Sequence, residues 1–322
     1  MTTPAITPAS PDWLRPLGRT GLTVSALAAG GGPLGGMPEL FGYDTPEDQA
    51  IALVRDLAAS PIRTIDTANG YSDGRSEERI GAALRGLPGS GLLVATKVDA
   101  KDGDYSGARV RASVEESRLR LGMPHLPLVH LHDPEFFPDA GFERPGGAIE
   151  ALLALRDEGV VGRIGLAAGH VPTMDRLLDT GAFDVVLTHS RATLLDRSAD
   201  PLIDRARAEG LGVINAAVLG GGLLASRRAK PLYGFRPARP EVLEAAAALH
   251  DLAAALGVVL ADAAVQQSVR DPRIDTTVVG FSKRDRVPRL LDALAAPIPD
   301  EFWERAAELL PDASVWLDAP AG

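Results

Sequence analysis

The chain has 322 residues, 45% of them apolar and 24% charged, with 34 glycines, 25 prolines and no cysteine. That is the composition of a globular protein, it excludes structural disulfides and thiolate metal sites, and a chain of this length buries roughly three quarters of the surface it exposes unfolded. The net charge of −10 repels phosphate backbones and argues against nucleic acid as a partner, and no apolar run reaches the roughly 20 residues of a membrane helix.

Residues 1–12, rich in Pro, Thr and Ala, lack the basic-then-apolar layout of a signal peptide, so the expectation is a cytoplasmic protein with a flexible start. Residues 13–23 carry a Gly-containing turn between short extended pieces and predict a β-hairpin. From there, short aliphatic runs alternate with longer amphipathic stretches. The runs predict strands at 24–29, 63–66, 92–97, 128–132, 163–167, 184–188, 212–218 and 276–280, with helices at 46–59, 76–85, 108–121, 149–158, 196–209 and 240–256 between them. Thr45-Pro46-Glu47 reads as an N-cap followed by a first-turn proline, and Gly122, Gly159 and Gly210 sit where left-handed caps end helices. Residues 298–322, with Trp303 and Trp316, form a tail helix and coil.

Eight βα units point to an α/β fold, a single-domain TIM (β/α)8 barrel over 1–322 with an N-terminal β-hairpin on its floor and a C-terminal tail helix. An open doubly wound sheet fits less well, because no GxGxxG follows the first strand. In such a barrel the chemistry sits at the C-terminal strand ends. Three polar ends stand out there: Asp66, Lys97 and His132, separated by 31 and 35 positions, about one βα unit each. Tyr71 follows Asp66 in a loop able to fold back over the same mouth. Lysine is rare here, four residues against 29 arginines, so a lysine ending an apolar strand is not there for solubility. An ammonium beside a phenol lowers the phenol's pKa, and a paired carboxylate keeps the ammonium charged, so Tyr71 is expected to exchange a proton near neutrality. His132, as a neutral donor, would orient a carbonyl oxygen. The group lacks an electron source, so a bound hydride carrier has to supply the redox half.

Two further features suit such a carrier. The tract Gly30-Gly-Gly-Pro-Leu-Gly-Gly36 lets a backbone approach a ligand closely, and the basic run Lys283, Arg284, Arg286 and Arg289 after the last strand suits a phosphate clamp. His130 shares strand parity with His132 and is expected to be a neutral, hydrogen-bonded core histidine. The histidines also raise a metal-hydrolase reading, with His130, His132, Lys97, His170, His189 and Asp66, but the His-x-His falls on the wrong strand for it; no metal is expected.

The chain resembles the aldo-keto reductases. The likeness runs through Arg15-Pro-Leu-Gly-Arg-Thr-Gly-Leu-Thr-Val-Ser25, Thr64-Ile-Asp-Thr-Ala-Asn-Gly-Tyr71, Gly74-Arg-Ser-Glu-Glu-Arg-Ile-Gly81, Ala95-Thr-Lys97 and Leu131-His-Asp-Pro134. It implies that Asp66, Tyr71, Lys97 and His132 are the family's catalytic tetrad. It also implies that a nicotinamide dinucleotide is held by Gly30, His189, Ser190, Arg191, Leu219, Gly221, Gly280, Ser282, Lys283, Arg284 and Arg286; the charge-assisted hydrogen bonds that Lys283, Arg284 and Arg286 offer a 2′-phosphate favour NADP, with NAD as the alternative. Arg191 with Thr193-Leu-Leu-Asp196, Gly221-Gly-Leu-Leu-Ala225 and Ala261-Asp-Ala-Ala-Val-Gln266 resemble the aldose 1-dehydrogenase group.

The departures from the family pattern bear on the cofactor. Ala167-Ala-Gly-His170 stands where a carboxamide-holding Ser-Asn or Asn-Gln pair is usual, and His189 and Ala192 stand in place of a Gln and a stacking aromatic. The 280–286 loop differs in spacing by about a residue. The partner is a small carbonyl or sugar. Apolar residues in the mouth loops, Leu34, Met37, Leu40, Phe41, Phe136, Phe137 and Phe235, favour reduction of small aldehydes or ketones ahead of sugar oxidation. A dinucleotide-binding redox sensor without turnover is the reading from another class, and an intact tetrad speaks against it.

Overall fold

In the computed structural model, which describes residues 5–36, 38, 43–87 and 89–319, eight parallel strands close into a barrel. They are β3 (Leu27–Gly30), β4 (Thr64–Asp66), β5 (Leu93–Val98), β6 (Leu126–His132), β7 (Val161–Ala168), β8 (Val185–His189), β9 (Gly212–Ala216) and β12 (Thr276–Gly280), and β12 pairs with both β9 and β3 to complete the ring. Helices α1 (Glu47–Ala58), α2 (Arg75–Leu84), α3 (Gly107–Leu121), α4 (Ala148–Asp157), α5 (Val171–Leu178), α6 (Asp200–Glu209), α7 (Pro240–Ala255), α8 (Leu260–Val269) and α9 (Arg286–Ala295) pack outside it, and α10 (Asp300–Glu308) begins the tail. No single helix among the described residues is long and apolar enough to cross a membrane.

The predicted first strand divides in two. Strands β1 (Leu14–Pro16) and β2 (Thr23–Ser25) form the floor hairpin, and the barrel strand starts only at Leu27. The Ser25 hydroxyl makes the break, donating to the Leu27 carbonyl at 2.6 Å and accepting the Arg63 N–H at 2.9 Å, which turns the chain from floor to wall. The hairpin also sends Leu17 into the barrel, fully buried among Ala28, Leu128, Val185 and Ile214. Gly212 makes room for it: a Cβ there would stand 2.7 Å from the Leu17 Cγ.

The glycine caps form as expected, with Gly122, Gly159 and Gly210 at φ of 68°, 74° and 76°. The Thr45 cap does not. Helix α1 begins at Glu47 with Pro46 in the cap position, and the buried Thr45 hydroxyl has no hydrogen-bond partner among the described residues. Helix α6 starts four residues later than its periodicity suggests, because the Asp196 carboxylate accepts the Ser198 N–H at 2.8 Å and ties 196–198 into a turn. Helices α5, α8 and α9 escaped the sequence reading; α5 has only eight residues, too short for a clear amphipathic period. A two-residue ribbon, β10 (Leu232–Tyr233) with β11 (Arg236–Pro237), also went unpredicted.

Side chains along each barrel strand alternate inward and outward. Counting by twos from the buried interior therefore leads to the mouth: Ala28 to Gly30, Ala95 to Lys97, His130 to His132, Leu187 to His189, Ile214 to Ala216 and Val278 to Gly280. The upper residue of each pair lines one cavity.

Candidate active site

That cavity, of about 430 Å³, opens at the C-terminal ends of the strands and brings Asp66, Tyr71, Lys97 and His132 together. The Lys97 ammonium uses all three of its protons: it donates to Asp66 Oδ2 at 2.7 Å, to the Thr67 carbonyl at 2.7 Å and to Tyr71 Oη at 3.0 Å. Burial acts to lower the Lys97 pKa, but Asp66 and Tyr71 outweigh it and hold the ammonium charged past the ordinary lysine range. The Tyr71 ring meets the His132 imidazole edge to face at 5.8 Å.

The balance at Tyr71 differs from the sequence expectation. Burial dominates, and although Lys97 pulls the phenol down, the net result is a pKa pushed up to about 12. The tyrosine is a protonated hydrogen-bond donor at neutral pH.

Asp99, two residues beyond Lys97, was not singled out from sequence. Its Oδ1 lies 2.6 Å from His132 Nδ1 and its Oδ2 accepts the Gly70 N–H at 2.6 Å. Burial opposes ionisation of both partners. Even so, Asp133 and Asp99 together raise the His132 pKa above its usual value, and His132 with the Gly70 N–H holds the Asp99 carboxyl below the usual range. His132 is thus not simply the neutral donor expected. The only sequence signal was a carboxylate one strand-period past the lysine.

His130 is fully buried, and burial drives its pKa far down, so it is neutral as expected, but it is not the hydrogen-bonded histidine expected: neither ring nitrogen has a partner among the described residues. Its ring fills the space left by Gly165, where a Cβ would come within 2.0 Å of Nδ1.

Of the remaining predicted residues, Gly30, His189 and Gly280 line the cavity, while Ser190, Arg191, Leu219, Gly221, Ser282, Lys283, Arg284 and Arg286 lie outside its wall. Arg191 is held by the tail, its guanidinium donating twice to Asp318 at 3.0 Å. Arg284 donates to Asp56 at 2.8 Å. Gly221, at φ 67°, belongs to the tight 220–222 turn. Phe136 and Phe235 line the cavity, Phe137 packs edge-on against Tyr105 instead, Leu34 is buried, and Met37, Leu40 and Phe41 lie outside the described residues.

Three non-glycine residues, Asp133, Ser190 and Ala217, adopt left-handed backbone at φ of 44°, 62° and 55°, each directly after the last residue of a barrel strand. Such conformations cost about 1–3 kcal/mol each and gather at functional sites. Here they fold the chain around the mouth. Beside them, Asp133 Oδ1, Glu135 Oε2 and His189 Nδ1 are buried with no hydrogen-bond partner among the described residues. Burial brings the His189 pKa down to about 4 and raises that of Glu135, whose Oε1 accepts the Gly169 N–H at 2.6 Å.

The cavity suits a nicotinamide ring. Much of its wall is backbone and methyl, from Gly30, Gly32, Ala167, Ala216, Ala217 and Gly280, and His189 lines the same cavity with its Nδ1 free of hydrogen-bond partners among the described residues.

A profile of the aldo/keto reductase family matches residues 27–311. The chain belongs to that family. It is 34% identical to L-galactose dehydrogenase from Arabidopsis thaliana over 281 residues, 85% of each protein, and 30% identical to pyridoxal 4-dehydrogenase from Microbacterium luteolum, over 90% of this chain and 95% of that one. D-threo-aldose 1-dehydrogenase from a Pseudomonas species is 27% identical, over 89% and 94%. The holo form of an aldo-keto reductase from Bacillus halodurans superposes with a TM-score of 0.75, covering 96% of this chain and 99% of that one at 24% identity, and so shares the fold. The chain is accordingly an NAD(P)-dependent oxidoreductase acting on a small carbonyl or alcohol.

Proposed function

We propose that the enzyme oxidises a polyhydroxylated substrate at its aldehyde-level carbon, an aldose in cyclic hemiacetal form, using NADP. One observation carries the reading: Asp133 lines the cavity beside His132, with Oδ2 3.6 Å from His132 Nε2 and Oδ1 without a hydrogen-bond partner among the described residues. A buried acceptor without a partner costs about 1–3 kcal/mol, and a site that reads hydroxyls recovers this only with a hydroxylated substrate. The aromatics that favoured an apolar carbonyl stand at the outer rim, Phe136 and Phe235 being 69% and 65% exposed. The dehydrogenase names of the relatives that act on galactose and threo-aldoses agree with this order.

In this reading the substrate oxygen sits between Tyr71 Oη and His132 Nε2, and Tyr71, oriented by Lys97, donates a hydrogen bond to it. Asp133 accepts from a neighbouring hydroxyl. Gly30, Ala216, Ala217 and Gly280 flank the nicotinamide, and His189 Nδ1 accepts from its carboxamide. When bound, the dinucleotide supplies or takes up the hydride. Lys283 and Arg286 meet the 2′-phosphate, and Arg284 contributes less because Asp56 already engages it.

The test is a rate panel at 340 nm. L-galactose, L-fucose and D-arabinose with NADP and NAD are set against aromatic and aliphatic aldehydes with the reduced dinucleotides. Sugar oxidation should dominate, and Asp133→Asn should raise KM for sugars about tenfold or more while changing KM for aldehydes little. Efficient aldehyde reduction without sugar oxidation refutes the proposal.

A further inference from the structure

Asp66, Lys97 and His132 are strand residues, held by the barrel ladder, whereas Tyr71 lies in the loop between β4 and α2. The three residues after it, Ser72, Asp73 and Gly74, adopt left-handed backbone in succession, at φ of 54°, 54° and 90°. Two of them carry a Cβ, which that conformation disfavours, and such a run persists only where its surroundings over-determine it. The loop does not do this alone. Its internal backbone hydrogen bonds are long: the Asp73 N–H reaches the Gly70 carbonyl at 3.2 Å, and the Gly74 and Ser76 N–H groups reach the Tyr71 carbonyl at 3.2 and 3.4 Å.

Arg120, on the last turn of α3, supplies the restraint from the neighbouring βα unit. Its Nη1 donates to the Asn69 carbonyl at 3.1 Å and to Glu77 Oε2 at 3.2 Å, so one guanidinium joins the residues on both sides of the run. Between them it lies against the Gly74 backbone, where a Cβ would come within 2.5 Å of Arg120 Nε. Gly81 on α2 gives the arginine its approach, since a Cβ there would stand 2.9 Å from the Leu121 Cα. Glu77 is fully buried, and its Oε1 accepts the Thr96 hydroxyl at 2.6 Å, one residue before Lys97. The Asn69 amide docks on α3 as well, donating to the Ser113 carbonyl and to Glu116 Oε2, both at 3.1 Å.

We propose that Arg120 is a positioning residue for the reaction. It holds the left-handed run 72–74 in shape and so keeps the Tyr71 phenol in the cavity wall, with Oη 3.0 Å from the Lys97 ammonium. Arg120 itself does not line the cavity and acts only through the loop. The proposal rests on Tyr71 as the hydrogen-bond donor to the substrate oxygen and is independent of which substrate the cavity accepts. Charge alone does not suffice for this role. A lysine at 120 still faces the Glu77 carboxylate, but it lacks the planar guanidinium that lies on Gly74 and stops short of the Asn69 carbonyl. An ion pair that served stability alone would leave kcat in place in any variant that folds.

The test compares Arg120→Lys with the wild type, using any substrate pair the enzyme turns over. The variant keeps the buried carboxylate paired, so it should fold, and its kcat should drop about tenfold or more through displacement of the tyrosine, with dinucleotide affinity by calorimetry unchanged. A second readout uses cofactor-free protein labelled at tyrosine 13Cζ. The sequence has four tyrosines, and the Tyr71 signal is assigned by its loss in Tyr71→Phe. Arg120→Lys should move or broaden that signal and leave those of Tyr105 and Tyr233 in place. Adding Asp73→Gly to Arg120→Lys should recover part of the kcat, because glycine holds left-handed backbone without a steric cost.

An unmoved Tyr71 signal in Arg120→Lys overturns the proposal. So does an unchanged kcat in a background where Tyr71→Phe abolishes turnover, or a failure of Asp73→Gly to recover any of the loss. An Arg120→Lys chain that does not fold also overturns it, since the arginine then supports the fold as a whole rather than one loop. Turnover retained in Tyr71→Phe would refute the tyrosine's role instead, and the 13C signal, which needs no substrate, would still decide what Arg120 holds.

Discussion

Replacing Lys97 by methionine removes a charge that is only 2% exposed from beside a carboxylate that is 7% exposed. Methionine fills nearly the same volume, so the loss is electrostatic: Asp66 keeps its burial and loses its partner, and the Thr67 carbonyl and Tyr71 Oη lose a donor. Breaking one side of a buried pair costs about 3–5 kcal/mol. With an unfolding entropy near 2.1 cal/mol/K per residue, a chain of this length should melt about 4–7 °C lower. Asp66→Asn with Lys97→Met should recover part of the loss, since no buried charge is then left unpaired. The sign with pH follows. The folded Lys97 pKa is raised, so its contribution is complete below the ordinary lysine range and disappears only as pH rises through the raised value. Between pH 5 and 9 the wild-type pair is therefore constant. Thermal melts followed by circular dichroism across pH 4–9 test this. A variant melting within about 1 °C of wild type at pH 7 would refute the claim that the ammonium is buried and indispensable to Asp66.

Tyr71→Phe should lower kcat about 100-fold or more, by loss of a hydrogen-bond donor to the reacting oxygen, while calorimetry finds dinucleotide affinity almost unchanged; near-normal turnover would place that donor elsewhere. Lys283→Ala and Arg286→Ala should each weaken NADP binding about tenfold and leave NAD binding alone, whereas Arg284→Ala should cost no more than about threefold; equal effects on both dinucleotides would remove the 2′-phosphate from this loop.

The barrel and the four central residues were legible because both depend on local patterns. Strand alternation has a period of two, and polar residues that interrupt an apolar strand at its end, Asp66, Lys97 and His132, mark the mouth of a barrel without any knowledge of packing. What the chain could not reveal is how βα units meet. Asp99 reads as one acidic loop residue among many until β5 and β6 are set side by side and His132 falls within 2.6 Å. The orphaned atoms of Asp133 and Glu135, the Arg191 to Asp318 clasp across 127 positions and the Arg284 to Asp56 pair across 228 are likewise properties of closure. The Tyr71 pKa shows why. The sequence supplies the lysine that lowers it, but burial, which raises it more, depends on the walls contributed by other strands. Local periodicity determines which residues face inward, and the tertiary structure decides what those residues meet and how much water they lose.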